Sequence, residues 1–221
     1  NLYMMSNKYL TYIKHISTYF GASLIPMILM LAVNPLIALN MSPEDYAITG
    51  YYSSFNNLIG PVIIFYMLHY FNKRYFELDE AGRLQLKALL FKAVTAFSFV
   101  VSVLCFFALL GYIKIFNTSL GFPIMPYLAF TVFALPLAGL YNLELADYRM
   151  GRNSKGFFKL SVTNGVSLVV LNIVFVVLVK WGATGKLLAP LITNLFVFIY
   201  LFLKNRHLLR IKSSWNDFCG I

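Results

Sequence analysis

The acidic side chains are the first place to look for chemistry in this chain. Of its eight carboxylates, only Glu144 borders a long apolar run, and Asp147 follows three residues later. If that run crosses a membrane, an ionisable group in it is a functional candidate, here a proton or cation site or a gate that pairs with Arg149 or Arg152. The other interpretation, which we favour, is an interfacial acid that forms salt bridges with the basic loop beside it.

The residues that serve enzymes are scarce. The three histidines, His15, His69 and His207, are far apart, and no pair has the spacing of metal ligands. The sequence contains no H-E-x-x-H, G-x-S-x-G or phosphate-binding-loop motif. A membrane transferase would need acidic or histidine groups facing the reaction. We therefore expect no enzyme activity, no metal and no cofactor.

Amide side chains stand inside the apolar runs at several positions. Asparagine can hydrogen-bond between membrane helices as structural glue, or it can line a wet cavity and bind sugar hydroxyls. Lys92 begins the third run, where it either binds phosphate in such a cavity or extends to the interface. With Lys92 and Glu144, the cavity candidates are Asn34, Asn56, Asn57, Asn142, Asn164 and Asn172.

Prolines interrupt four of the apolar runs. Proline removes a backbone donor and bends or breaks a helix. A bundle with such helices could flex around a polar interior. The hinge candidates are Pro26, Pro35, Pro61 and Pro136.

The elements that must position these residues follow from composition. The chain is 60% hydrophobic and 12% charged, whereas an average soluble domain carries about 25% charged residues. Its charge-free blocks are close to the ~20 residues with which a helix crosses a bilayer, and the backbone must be helical there. The sequence predicts an all-α integral membrane protein, a six-transmembrane-helix bundle with spans at about 16–39, 46–71, 88–113, 122–145, 157–179 and 185–203.

The basic residues predict an orientation. The net charge of +10 could suggest nucleic acid, but cytoplasmic loops of membrane proteins are rich in Lys and Arg. With six spans, Lys114, Lys180 and Lys186 fall on one side and the other 15 of the 18 basic residues on the opposite side. We expect no nucleic-acid partner and both termini in the cytoplasm. Residues 1–15 form an interfacial N-terminus and residues 204–221 a tail or the start of a linker.

A short basic, glycine-containing stretch joins the fourth and fifth predicted spans. It contains Arg149-Met150-Gly151-Arg152, with Phe157 five residues later. Before it come a proline-containing first span, a tight acidic turn and a long charged loop, and after it come an asparagine-bearing fifth span and the turn WGATGK. In this order of features, roughly residues 8–205 resemble the N-terminal lobe of polysaccharide and O-antigen flippases, in the multidrug/oligosaccharidyl-lipid/polysaccharide exporter superfamily.

The resemblance implies one lobe of a two-lobe transporter, completed by a second lobe or a second copy of the chain. Its substrate would be an undecaprenyl-diphosphate-linked oligosaccharide, which crosses the bacterial inner membrane to the outer leaflet. Arg149 and Arg152 would steer the diphosphate at the cytoplasmic entrance, although we favour orientation alone as their role. The drug-exporting branch often has an acid in the first span, where this chain has Asn34 and Pro35.

Two other functions stay open. One is a cation-coupled exporter of amphipathic small molecules, with Glu144 as the coupling acid. The other is a six-span assembly subunit without catalytic activity. Membrane lipid is a partner in every case.

Overall fold

The computed structural model of this chain describes residues 2–64, 67–116 and 121–211, and it describes side chains from residue 16 onward, except at position 64. The side chains of the N-terminal 15 residues and the tail from residue 212 lie outside this description. Every regular element in the described ranges is a helix. The prediction of an all-α protein is confirmed.

The first, third and sixth predicted spans lie within longer helices, whereas the helix at the fourth has the predicted length. Proline does not end any of the helices, and the first, Leu2–Leu39, continues through both Pro26 and Pro35. Neighbouring membrane helices can satisfy the backbone groups that a proline leaves free. In chain order the elements are α1 (Leu2–Leu39), α2 (Pro43–Ile64), α3 (Met67–Arg74), α4 (Glu80–Phe116), α5 (Tyr127–Met150), α6 (Ser154–Asn172), a π-helical segment (Ile173–Leu178), α7 (Gly182–Asn205) and a 3-10 helix (Arg206–Arg210).

Within residues 2–64, 67–116 and 121–211, five helical segments are long and apolar enough to cross a membrane. The segment predicted as the second span is not among them. It contains α2, whose 22 residues reach roughly 33 Å at 1.5 Å per residue, but tyrosine, serine and asparagine lower its hydropathy. The five segments are Ile16–Leu39, Glu80–Phe116, Tyr127–Met150, Ser154–Leu178 and Gly182–Arg210.

Contacts between distant parts of the chain define two ends of the bundle. At the charged end, the start of α4 meets the end of α5, because Lys87 Nζ lies 2.6 Å from an Asp147 oxygen. At the opposite end, the α1–α2 turn meets the start of α7, because the Ala183 N–H donates to Asp45 at 2.7 Å. The helices run between these ends. α2 begins beside Asp45 at the opposite end. Tyr75, which follows α3, lies at the charged end, where its carbonyl accepts a hydrogen bond from the Arg83 side chain at the start of α4.

Two apolar cores fill the interior, one towards each end. Phe71, Phe91 and Leu143 belong to the core at the charged end, and Tyr52 and Val132 belong to the core at the opposite end. Lipid tails are as apolar as these side chains, so close packing is what favours helix association in a membrane. The two cores therefore stabilise the bundle through the close packing of their side chains.

Glycine allows the closest helix crossings. A Cβ on Gly165 would overlap the Pro26 ring where α1 crosses α6, and a Cβ on Gly139 would lie 2.5 Å from Val94 Cγ1 where α4 meets α5. Small residues at such crossings let helix backbones approach each other. Pro26, predicted as a hinge, is thus packed against α6.

Candidate functional site

The turn between α5 and α6 brings the ends of both helices together. The Gly151 N–H donates to the Asp147 carbonyl at 2.8 Å, which ends α5. The Asn153 side chain then accepts a hydrogen bond from the Gly156 N–H at 2.9 Å and caps α6. A Cβ on Gly156 would lie 3.1 Å from the Tyr148 ring, so glycine lets the two helices stay close.

Glu144 lies at the centre of a buried charge network at this end. Its side chain is 3% exposed, and each of its oxygens contacts a lysine from a neighbouring helix. Lys204 of α7 donates to Oε1 at 2.7 Å, and Lys87 of α4 lies 2.9 Å from Oε2. The Asn205 amide also donates to Oε2, at 3.3 Å. One carboxylate thus connects three helices.

Two further side chains complete the network. Lys87 also donates to Asp147 at 2.6 Å, and Lys204 donates to the Tyr148 hydroxyl at 2.5 Å. The two lysines match the two carboxylates, Glu144 and Asp147, in charge. Buried ions need such pairing because desolvation is costly.

The two arginines of the loop take no part in it. Among the described residues, neither Arg149 nor Arg152 forms an ion pair. The Arg149 guanidinium lies 5.5 Å from the centroid of the Phe157 ring, and Arg152 is exposed with a φ of 55°. Glu144 therefore forms salt bridges, as we favoured, but its partners are lysines on helices instead of the basic loop.

A cavity of about 390 Å³ lies beside the network, between α6 and α7. Tyr148 belongs to both, since its side chain lines the cavity and its hydroxyl binds Lys204. We call this cavity the α6–α7 groove. It is lined by Tyr148, Gly156, Lys159, Leu160, Thr163, Asn164, Ser167, Phe196, Val197, Tyr200 and Leu201.

The two walls of the groove differ in chemistry. The α6 wall carries an amine, two hydroxyls and an amide, on Lys159, Thr163, Ser167 and Asn164. Lys159, Thr163 and Ser167 follow one another at four-residue intervals and Asn164 lies three residues before Ser167, which puts them on one helix face. The α7 wall is mostly aromatic and aliphatic. The groove can thus accept a molecule with a hydrogen-bonding side and an apolar side.

Asn164 is the predicted cavity residue that lies in this groove. Its Oδ1 is buried and has no hydrogen-bond partner in the described part of the chain. A buried acceptor without a partner is costly, typically ~1–3 kcal/mol. A donor on a bound molecule would remove that cost.

The other predicted cavity residues are distributed through the bundle. Asn34 lines a separate cavity at the opposite end. On α2, the buried Asn56 oxygen has no hydrogen-bond partner among the residues that the structure describes, whereas Asn57 is exposed. Asn172 is buried and donates to the Leu168 carbonyl within its own helix, at 2.8 Å. These asparagines do not share one cavity.

Two further candidates lie outside the groove lining. Lys92 donates to the Ile211 carbonyl at 2.6 Å, so its amine holds the end of the 3-10 helix. Asn142 is half-buried on α5. Neither contributes to the lining of the α6–α7 groove.

The sequence analysis did not predict the lysine partners of Glu144. Lys87 and Lys204 counted only as evidence for orientation. The available signal was their position at the ends of spans near a lone buried acid. Each lies about 60 residues from its carboxylate partner, and nothing local connects such positions.

No family model, no curated protein and no solved structure matches this chain.

Proposed function

We propose that this chain translocates a lipid-linked oligosaccharide, of the undecaprenyl-diphosphate-linked class, across the bacterial inner membrane. The observation that carries the proposal is the α6–α7 groove, with a hydrogen-bonding wall and an apolar wall inside a bundle of membrane-length helices. Sugar hydroxyls need partners in a region without water. A groove of this kind supplies them while the polyprenyl chain stays in lipid.

Four groups on the polar wall would bind the head of the substrate. The Asn164 oxygen, which has no partner among the described residues, would accept a hydrogen bond from a sugar hydroxyl. The Thr163 and Ser167 hydroxyls can donate or accept hydrogen bonds. Lys159, exposed at the end of the groove near the charge network, is placed to attract a diphosphate. These roles replace the entrance role that the resemblance gave to Arg149 and Arg152.

The charge network would control access at the charged end. It joins α4, α5 and α7 through Glu144, and it shares Tyr148 with the groove. Movement of α7 against α5 would have to separate Lys204 from Glu144. In an alternating-access cycle, such a bond holds one end closed until the substrate compensates for its loss.

The proposal also treats this chain as one six-span lobe of a two-lobe transporter. We propose that α2 and α3 together form a sixth span, since they run from Asp45 to Tyr75 between the two ends. The groove would then face a second lobe or a second copy of the chain.

The exporter hypothesis required Glu144 to bind a coupling cation, and two lysine amines now occupy the positions that the cation would need.

Deletion of the gene in its bacterial host tests this proposal. Extraction should show lipid-linked oligosaccharide accumulating while surface polysaccharide disappears. Complementation with Asn164→Leu should restore surface polymer roughly fivefold to tenfold less well than wild type, because one buried hydrogen bond is lost. Asn57→Leu changes the same amide at an exposed position and should complement fully. Unchanged lipid and polymer in the deletion strain would reject the flippase function.

A further inference from the structure

A second cavity, of about 470 Å³, lies at the opposite end of the bundle. The end of α1, the start of α2 and the start of α7 enclose it. Its polar lining includes Asn34, Thr49 and Lys186, and no carboxylate of the described residues lines it. The cavity is far along the helices from the Glu144 network and shares no residue with the α6–α7 groove.

Lys186 is the unusual member of this lining. Its side chain is partly buried, and within the described ranges it forms no ion pair and no hydrogen bond. Asp45 lies in the adjoining turn, and its oxygens already accept hydrogen bonds from Ala183 and Ser42. A partly buried amine in a membrane protein needs an anion near it. None of the described side chains supplies one.

The rest of the cavity is apolar and opens onto the surface of α1. Leu31, Pro35 and Ala38 form this wall, and Leu31 and Leu39 next to it are exposed. In a membrane-spanning helix such a surface faces lipid tails. The cavity therefore combines one amine with a surface that suits a hydrocarbon chain.

We propose that this cavity binds the phosphate group of a membrane glycerolipid, with Lys186 as the phosphate ligand. Asn34 donates a further hydrogen bond from its amide, and an acyl chain of the lipid lies along Leu31 and Pro35. Lysine amines bind phosphate oxygens through short, charge-assisted hydrogen bonds. Basic pockets between membrane helices recognise lipid headgroups in this way. The inference does not depend on the proposed oligosaccharide substrate.

Native mass spectrometry of the purified protein, released from detergent, tests this site. The probes are phosphatidylglycerol, diacylglycerol with the same chains, and inorganic phosphate. Wild type should bind phosphatidylglycerol about tenfold or more tightly than diacylglycerol, and Lys186→Ala should abolish that preference, because one charge-assisted hydrogen bond is lost. Lys186→Arg keeps the charge and should retain most of the preference.

Lys114→Ala is the matched control. It removes an exposed amine from α4 at the same end of the bundle, outside the cavity, and should leave lipid binding unchanged. Thermal unfolding of each variant verifies that it is folded. A folded Lys186→Ala variant that keeps the preference for phosphatidylglycerol overturns the proposal. Displacement of the lipid by inorganic phosphate would overturn its lipid part and assign the site to a soluble phosphate.

Discussion

At the charged end of the bundle, Glu144 and Asp147 share two lysines from neighbouring helices, whereas at the opposite end Lys186 lines a cavity without a carboxylate partner in the described part of the chain. Both ends place charged side chains near the ends of helices long and apolar enough to cross a membrane. At the first, the charges bind each other and hold three helices together. At the second, an amine is left for a molecule from outside the chain.

The opposite end is held by a different kind of contact. Ser42 caps α2 by accepting the Asp45 N–H with its hydroxyl oxygen, and the Asp45 carboxylate accepts both the Ser42 N–H and the Ala183 N–H of α7. A single carboxylate therefore joins two turns through backbone groups, without any cation. The comparison indicates that ion pairs stabilise the charged end and backbone hydrogen bonds stabilise the opposite end. Substitutions at each end can test this difference.

The largest effect should come from Glu144→Gln. At this buried position Lys87 would keep only Asp147, and the partly exposed Lys204 would keep only the Tyr148 hydroxyl, so the two lysines together lose the carboxylate that they share. We expect the free energy of unfolding to fall by about 3 kcal/mol, or ~6–12 °C in Tm for a chain of this size. Thermal unfolding in detergent, followed by circular dichroism, measures the change.

Glu77→Gln provides the matched control. It makes the same change in the Arg74–Glu77 pair, where both side chains are about half exposed, and should leave Tm unchanged. Adding Lys204→Met to Glu144→Gln removes the unpaired amine and should restore roughly 1 kcal/mol. Equal Tm values for Glu144→Gln and Glu77→Gln would mean that the buried network contributes no stability.

Gly182→Ala should have the next largest effect, at the opposite end. Gly182 has a φ of +51°, and a Cβ there would overlap the Asp45 carboxylate that binds Ala183. Backbone strain and the displaced carboxylate together should cost about 2 kcal/mol. Tm should fall by several degrees in the same unfolding measurement.

Gly111→Ala is the comparison for that variant. A Cβ at Gly111 meets nothing within 4 Å, and alanine is the better helix former. Its Tm should be equal to that of wild type or slightly higher. If Gly182→Ala behaves in the same way, the Asp45 contact does not hold the two turns together.

The helices were largely predictable from the sequence, because charge-free runs of membrane length leave the backbone few alternatives. The ends of the helices were less predictable. α4 begins at Glu80, ahead of the start of the predicted span at position 88. Its first turns are polar, so a prediction from hydropathy alone leaves them out. α2 shows the converse. Thr49 and Tyr52 pack inside the bundle whereas Ser53, Ser54 and Asn57 are exposed, and these polar residues together lower the hydropathy of the segment.

The candidate site was predictable only one residue at a time. Glu144 was found because it is the lone acid beside an apolar run. Its lysine partners depend on which helices are neighbours, and that is decided by packing such as Val94 against Gly139. The groove was missed for the same reason, although Asn164 was named, because its second wall comes from α7.

The smallest effect concerns the pKa of Asp45. Burial raises this pKa, but hydrogen bonds from the Ala183 and Ser42 N–H groups and the Ser42 hydroxyl outweigh it and leave the pKa below its usual value. Because the folded state favours the carboxylate, its stabilisation is complete above the unfolded pKa of about 3.9 and is lost as pH falls through the folded value. Partial exposure limits the effect, so Asp45→Asn should lower Tm by only about 1–3 °C at neutral pH.

The difference in Tm between wild type and Asp45→Asn should therefore shrink as pH falls below about 4. Glu44→Gln, one position earlier and exposed, is the control and should show no such convergence. Unfolding curves at a series of pH values measure it. A Tm difference that persists undiminished through this range would mean that the bonds to Ala183 and Ser42 do not depend on the charge of Asp45, and the contrast between the two ends would then be one of packing alone.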